Sequence, residues 1–391
     1  MKREEVSRRG FLRESTTLAA GVVTGVVLSE GYARQECANS PDGGTPITNE
    51  NPRMKYRRLG RTGLMISEIV LGGHFSDPQG ALSWDRFTTG EVPPHVTSNR
   101  MEVVSRCIDC GINYLDVTRS SEALAYGVAL KGRRDKMHIA ADDAEYAMRV
   151  RRQRNAKGQM QSIESCLTKL RTDYLDIWRP QFQPLGGHRD LDLELCIEVF
   201  EKARKQGKVR FLGMATHDRV WMQRVVERFP QYTVVYVPYT LRSRVTPADP
   251  RSIDRSQLYE PHDQPWSLGR DRPSLFEAAR AQDTGVIAMK PFSAGLIFSA
   301  VNQGFADPDR ATQSDEELAR LTLAYILGNP DISGVAVGMR LPAYVDNNVR
   351  AVTERQALLN PTTMRTLADH AGRMGTRLSP EYAWLKQWEH V

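Results

Sequence analysis

The sequence predicts an α/β fold, a closed parallel (β/α)8 barrel with long βα loops, on three observations. Short β-type runs alternate with stretches of helical periodicity. Eight such pairs follow one another. The 391 residues, 40% hydrophobic and 26% charged, suffice for one large domain of this kind. In order, the runs are Ile69–Gly73, Asn113–Val117, Met137–Ala141, Tyr174–Trp178, Phe211–Ala215, Val234–Pro238, Val286–Lys290 and Gly334–Gly338. Between the fourth and fifth, Leu193, Cys196, Val199, Phe200 and Ala203 recur at helical spacing, and Gly207 is placed to end that helix in a left-handed cap. Three loops after strands are long: His74–Arg100, Gln181–Asp192 and Thr240–Pro273. Loops of that length are lids, binding walls or inert surface insertions.

The ends divide from this body. Ser7-Arg8-Arg9-Gly10-Phe11-Leu12-Arg13 matches a twin-arginine export signal, and the apolar run Leu18–Leu28 behind it is too short for a membrane span. Residues 1–33 are therefore read as a signal peptide cleaved near Ala33, and 34–53, rich in Asn, Pro, Gly and Thr, as a linker. The barrel is assigned to 54–360 and a C-terminal helical extension, with Met364, Leu367 and Met374 inward, to 361–391. The expected partners are the twin-arginine translocase and a small-molecule substrate, and the expected location is periplasmic or otherwise extracytoplasmic. A net charge of +6, spread along the chain, gives no case for nucleic acid. The basic cluster Arg149, Arg151, Arg152, Arg154 and Lys157 is read as solvated surface. Cys107 and Cys110 share C-x-x-C spacing, but on an apolar helix face without a second pair, so they, Cys166 and Cys196 are assigned to the core and no metal is expected.

Gly111–Leu130, GINYLDVTRSSEALAYGVAL, resembles the second strand and helix of the aldo-keto reductases. Met54–Gly73, MKYRRLGRTGLMISEIVLGG, resembles the hairpin that plugs the bottom of that family's TIM barrel, and the likeness runs to about Val352. The resemblance implies hydride transfer with a nicotinamide cofactor, NAD(P), and a tetrad of Asp, Tyr, Lys and His. Asp116 stands at the aspartate. The tyrosine position falls on Ser121 or Arg119, the lysine position on Ala141 or Asp142, and the histidine position among Arg179, Pro180 and Gln181. Three of the four are thus replaced.

The resemblance further assigns Lys290, Phe292, Ser293 and Gly295 to the phosphate-side loop, and Gly338, Arg340 and Asn348 to the adenosine end. Tyr344 and Asn347 weaken any choice of NADP over NAD. At the nicotinamide end the usual Ser-Asn pair is Ala215-Thr216, and the usual glutamine is Tyr236. Around that end Asp116, Asp142, Asp143, Arg179, Gln181, His217 and Tyr239 are expected near strand ends, with His74 close by. Asp116, Arg179, His217 and Asp142 are the catalytic candidates, suited to a polyhydroxylated or acidic ligand. Equally, Asp116 and Arg179 form a space-filling ion pair. Two functions follow: an exported oxidoreductase that keeps its nucleotide tightly bound, or a barrel that has lost hydride transfer and binds a ligand or runs a lyase or isomerase step.

Overall fold

The computed structural model describes residues 46–73, 92–183, 186–241, 243, 274–295, 297–298, 301–302, 305–306 and 313–374. The export motif, His74 and most of the first and third long loops lie outside the described residues.

The chain opens with an antiparallel hairpin, β1 (Tyr56–Arg58) and β2 (Met65–Ser67), and enters the barrel at β3 (Ile69–Leu71). There follow α1 (Pro94–Asp109), β4 (Tyr114–Val117), α2 (Ser120–Ala129), β5 (His138–Ala141), α3 (Ala156–Leu170), β6 (Leu175–Trp178), α4 (Asp190–Lys205), β7 (Val209–Ala215), α5 (Arg219–Arg228), β8 (Tyr232–Pro238), α6 (Leu275–Ala281) and β9 (Gly285–Met289). A small hairpin, β10 (Val301–Asn302) and β11 (Phe305–Ala306), precedes α7 (Gln313–Leu327), β12 (Gly334–Val337), α8 (Pro342–Thr353), α9 (Arg355–Leu358) and α10 (Pro361–Met374). Eight strands close in the order β12-β3-β4-β5-β6-β7-β8-β9, neighbours parallel. Each matches an expected run to within two residues at either end. The β10–β11 pair, two residues per strand, was not foreseen, because so short a ladder has no periodicity to read.

Alternation divides the strands between two cores. Val70, Tyr114, Ala140, Ile177, Val234, Tyr236, Ile287 and Ala336 fill the barrel, and Leu59, Leu64 and Ile66 of the hairpin join them from below, so the hairpin is a plug. Gly60 lets it seat: its φ is +50°, and a Cβ there would lie 2.3 Å from the Gly285 amide nitrogen. Outside the strands, Leu193, Cys196, Val199, Phe200 and Ala203 are buried along α4, which ends at Gly207 with φ 72°. Cys107, Cys110, Cys166 and Cys196 are buried free thiols, each pushed up by its burial. In α10, Leu367 and Ala371 are buried against Leu318 and Leu321 of α7, with Met364 packed beside them; the Met374 side chain lies outside the description.

Polar ties close the base. Asn49 and Asn51, from the segment assigned to a linker, donate to the carbonyls of Ile108 and Asp109 at the end of α1. Glu68, 1% exposed, accepts from Arg57 at 2.7 Å and from Arg355 at 2.9 Å, while Arg57 also donates to the carbonyls of Asn329 and Ile332. One carboxylate thus joins plug, barrel and C-terminal helices. Glu68→Ala leaves two shielded cations facing each other and is expected to cost roughly 3 kcal/mol; urea unfolding checks this, and an unchanged midpoint would contradict it.

Candidate active site at the barrel mouth

Tyr114 points into the barrel, so Asp116, two residues further along β4, reaches the C-terminal mouth. By the same spacing Ile177 directs Arg179 to it from β6. The two meet: Arg179 Nε donates to Asp116 Oδ1 at 2.8 Å, and Arg179 Nη2 donates to the Val117 carbonyl at 3.1 Å. The guanidinium also lies 4.7 Å over the Tyr236 ring, whose hydroxyl shares a hydrogen bond with that of Tyr114. Burial lifts the Asp116 carboxyl to about 6 against the pull of Arg179, and the neighbouring Glu122 adds to the rise. Burial also pushes both tyrosines well above the ordinary phenol range. Neither phenol is a proton donor near neutral pH.

The structure turns several expected site residues away. Asp142 accepts from the Ser162 hydroxyl of α3 at 2.5 Å and from the Gln181 amide at 2.9 Å, because β5 ends at Ala141 and the chain bends outward there. Its carboxylate clasps two loops to a helix. Asp143 is bound by Ser120, Ser165 and Lys169 between α2 and α3. Tyr239 packs edge-on against Phe276 of α6, and its hydroxyl accepts from Asn329. Gln181 does face the mouth, donating to the Thr118 carbonyl at 3.1 Å. The loop behind it forms a wall. His188 Nε2 accepts from the Gln183 amide, Phe182 and Trp221 pack ring to ring at 5.5 Å, and Gly186 passes so close to Trp221 that a Cβ would lie 2.7 Å from the indole.

Four basic residues follow strands at the mouth end of the barrel. Arg119 follows β4 at the N-cap of α2, Arg149 lies on the loop after β5, His217 follows β7 and Lys290 follows β9, each half-buried. Arg149 was expected on the surface with its neighbours. Arg151, Arg152 and Lys157 are exposed, but the Arg149 amide donates to the Gln181 carbonyl and its own carbonyl accepts from Gln183, which fastens it at the rim. Burial, then Arg149 and Arg119, bring the Lys290 ammonium down to about 8. His217 is held well below the usual imidazole range by burial, then Lys290 and Arg149, so it is neutral at pH 7. Asp116 is therefore the partner of Arg179.

The loop after β9 is strained. Lys290 and Ser293 have φ of 56° and 49°, in a region unfavourable to both, and Gly295 follows at 91°. Turns from the Ser293 amide to the Lys290 carbonyl and from the Gly295 amide to that of Phe292 hold it, and Phe292 staples it to Phe298, ring centroids 5.1 Å apart. Beyond exposed Gly338 at the end of β12, Arg340 is 7% exposed just before α8, and Asn348 is 3% exposed within it. Arg100 and Asn99 of α1 fix that approach: Arg100 donates to the carbonyls of Met339 and Arg340, both at 2.9 Å, and Asn99 to that of Arg340 at 3.0 Å. A guanidinium, the Ser293 hydroxyl, the Asn348 amide and the amide end of a twelve-residue helix suit a dinucleotide's phosphate and adenosine groups. Among the described residues no cluster of three His, Cys, Asp or Glu could hold a metal ion, and no helix is long and apolar enough to cross a membrane.

The Aldo/keto reductase family model matches residues 89–359. The chain belongs to the aldo/keto reductase family. It is 25% identical over 333 residues to L-galactose dehydrogenase of Arabidopsis thaliana, covering 78% of this chain and 90% of that one. With the uncharacterized oxidoreductase YqkF of Bacillus subtilis it shares 22% identity over 340 residues, 81% of this chain and 96% of the relative. Among solved structures, the holo form of aldo-keto reductase AKR11C1 from Bacillus halodurans has the same fold with a TM-score of 0.56 at 18% identity, covering 84% and 99% of the two chains. Members of the family typically bind NAD(P), and an oxidoreductase-like function follows from membership.

Of the two places left open for the family's tyrosine, Ser121 is buried in α2 and Arg119 is the half-buried N-cap of that helix. Ala141 and Asp142 give no cation where the lysine would be. Sequence reasoning missed Arg149 and Glu122. Arg149 was legible from its place on a βα loop, all of which reach the mouth; the exposed arginines that follow it in sequence obscured this. Glu122 was hidden inside the motif, and it accepts from both the amide and hydroxyl of Thr118 at 2.8 Å.

Proposed function

We propose that this aldo/keto reductase is a nicotinamide-linked oxidoreductase in which the Lys290 ammonium, with neutral His217 beside it, replaces the missing tyrosine as proton donor. The observation that carries the reading is the Lys290 side chain at the mouth, its ammonium brought down to about 8, on the same loop as the nucleotide-fitting Ser293 and Gly295 and one strand from Arg340 and Asn348. A donor in that range is mostly protonated at neutral pH and releases its proton readily. The buried phenols are not.

The nicotinamide, when bound, supplies or removes the hydride. Lys290 gives its proton to the carbonyl oxygen as the carbon is reduced and recovers one from solvent; in the oxidising direction neutral Lys290 takes the hydroxyl proton. His217 orients that oxygen by a hydrogen bond. Arg179 keeps Asp116 ionised and in place, so the pair forms the floor of the site. The groups that set the Lys290 proton affinity are Arg119 from the β4 loop, Arg149 from the β5 loop and His217 from the end of β7. Reduction is therefore expected to fall as pH rises through about 8, and oxidation to rise through the same interval; a flat profile across it would contradict the assignment.

The twin-arginine motif Arg8-Arg9 supports export, which in turn favours a tightly held NAD(P), since the pool outside the cytoplasm is not regenerated. Arg8→Lys with Arg9→Lys is expected to leave the precursor in the cytoplasm, read by cell fractionation. The purified folded protein is expected to carry NAD(P) near one per chain, read by mass spectrometry of the extracted nucleotide. A chain that neither carries nor binds NAD(P) would support the second reading, a non-redox ligand-binding barrel, which Tyr236 and the Asp116–Arg179 pair at the nicotinamide end favour.

A further inference from the structure

We propose that the base of the barrel, the end opposite the mouth, is a docking face for an anionic phospholipid bilayer, so that the mouth opens away from the lipid. The proposal is independent of the reaction assigned above.

Net charge that is scattered along the sequence is gathered by the fold. Segments 131–136, 171–176 and 202–210 hold ten Lys and Arg against three Asp, a net of +7, whereas the whole chain has +6. They lead into the consecutive strands β5, β6 and β7 from the ends of α2, α3 and α4, helices that pack one on the next around the barrel. Hydrogen bonds join the three into one surface. Arg134 donates to the Thr172 hydroxyl at 3.0 Å and to the Tyr174 carbonyl at 3.1 Å, and it meets Arg210 on the Asp176 carboxylate, at 2.9 and 2.7 Å. Lys136, Arg204 and Lys208 are paired with Asp135, Glu201 and Glu164. Lys131, Arg171, Lys202 and Lys205 are exposed and, among the described residues, have no carboxylate within ion-pair distance. Helix dipoles do not account for them all. One basic residue in the last turn serves each of α1, α5, α6 and α8, whereas α4 has Lys202, Arg204 and Lys205 there, with Lys208 and Arg210 just beyond.

Two observations favour lipid over nucleic acid as the polyanion. First, the aromatic rings of this face are covered by its own arginines: the guanidinium of Arg134 lies 4.4 Å from the centroid of Tyr174, that of Arg210 5.6 Å from Phe211 and that of Arg204 5.7 Å from Phe200. These rings are not open to stack on bases. Second, the chain enters the barrel at this end. Asn49 and Asn51 donate to the Ile108 and Asp109 carbonyls at the end of α1, Asn113 donates to the Thr48 carbonyl, and Arg133 ties α1 to the basic segment through the Ser105 hydroxyl. What precedes residue 46 therefore joins the barrel at its base, and its sequence carries the apolar run Leu18–Leu28 behind Arg8, Arg9 and Arg13. A basic face beside the entry of a basic and apolar stretch matches a layer of anionic lipid headgroups, which attracts each Lys or Arg held near it.

The test is co-sedimentation of the full chain with vesicles of equal parts phosphatidylglycerol and phosphatidylcholine, against vesicles of phosphatidylcholine alone, which report binding through apolar residues. Partition onto the anionic vesicles is expected to be at least about tenfold stronger, and to fall steeply when salt is raised to about 0.5 M. Lys202→Glu with Lys205→Glu is expected to lower it by about tenfold or more, and Arg171→Glu to lower it in the same direction. Arg151→Glu with Arg152→Glu, an equal change of charge on the loop after β5 at the mouth end, should leave it within about threefold. Thermal unfolding confirms that each variant is folded. Equal partition onto the two kinds of vesicle would overturn the proposal. So would equal losses in the two double variants, since net charge and not this face would then govern binding. A short DNA duplex bound more tightly than the anionic vesicles would assign the face to nucleic acid and overturn it as well.

Discussion

Lys290→Met is expected to lower turnover per bound nucleotide by roughly 10²–10⁴-fold, the range that a positioned acid or base supplies. The loss belongs in kcat. The methionine keeps much of the side chain's volume but removes the proton, and Asp116 is committed to Arg179. Lys290→Arg gives a control of a different kind: it keeps a cation for any nearby anion but is too weak an acid to donate at neutral pH. It is expected to remain inactive. Steady-state kinetics on a panel of carbonyl and hydroxyl compounds, with nucleotide content measured alongside, separates these outcomes. Full activity in either variant would remove Lys290 from the proton transfer.

Arg179→Met is expected to cost roughly 3–5 kcal/mol of stability at neutral pH, because it strands Asp116 as a buried charge without its partner. The pH dependence gives the prediction its sign. In the wild type the Asp116 carboxyl is raised from 3.8 to about 6, so the folded state holds its proton more firmly than the unfolded chain does. Its contribution to stability is therefore complete below about pH 4 and is lost as pH rises through about 6, amounting to about 3 kcal/mol for a two-unit shift. Without Arg179 the carboxyl moves higher still, the window extends upward, and the variant should be further from the wild type near pH 8 than near pH 5. Asp116→Asn added to Arg179→Met should restore much of the loss. Urea unfolding at both pH values decides it, and equal deficits at the two would contradict the account.

The barrel was legible because its signals are local and repeated. β6 shows this well: Leu175–Trp178 is bounded by turn residues and buried on both faces, which a short apolar run reports directly. The hairpin plug was legible as a resemblance, and Gly60 explains why it takes that path. The site was read less completely. Asp116 and Arg179 follow from strand alternation, but Asp142 stands one residue past the end of β5, and nothing in the sequence says whether the chain there turns toward the axis or toward Ser162 on α3. Tyr239, one residue past Pro238, was lost in the same way to the α6 interface. Arg149 failed for a different reason: charge runs are usually solvated, and only the hydrogen bonds of its backbone to Gln181 and Gln183 distinguish it from Arg151 and Arg152. Strand interiors report their direction through period two, whereas the residues just beyond a strand end are placed by whichever loop contact is strongest.

The central claim is that an ammonium at the mouth does the work of the absent phenol. The most direct test is an NMR titration of the Lys290 side chain in nucleotide-loaded protein, the signal assigned through Lys290→Arg. The account predicts a midpoint near 8. A midpoint near the ordinary lysine value of ~10.4 would contradict it.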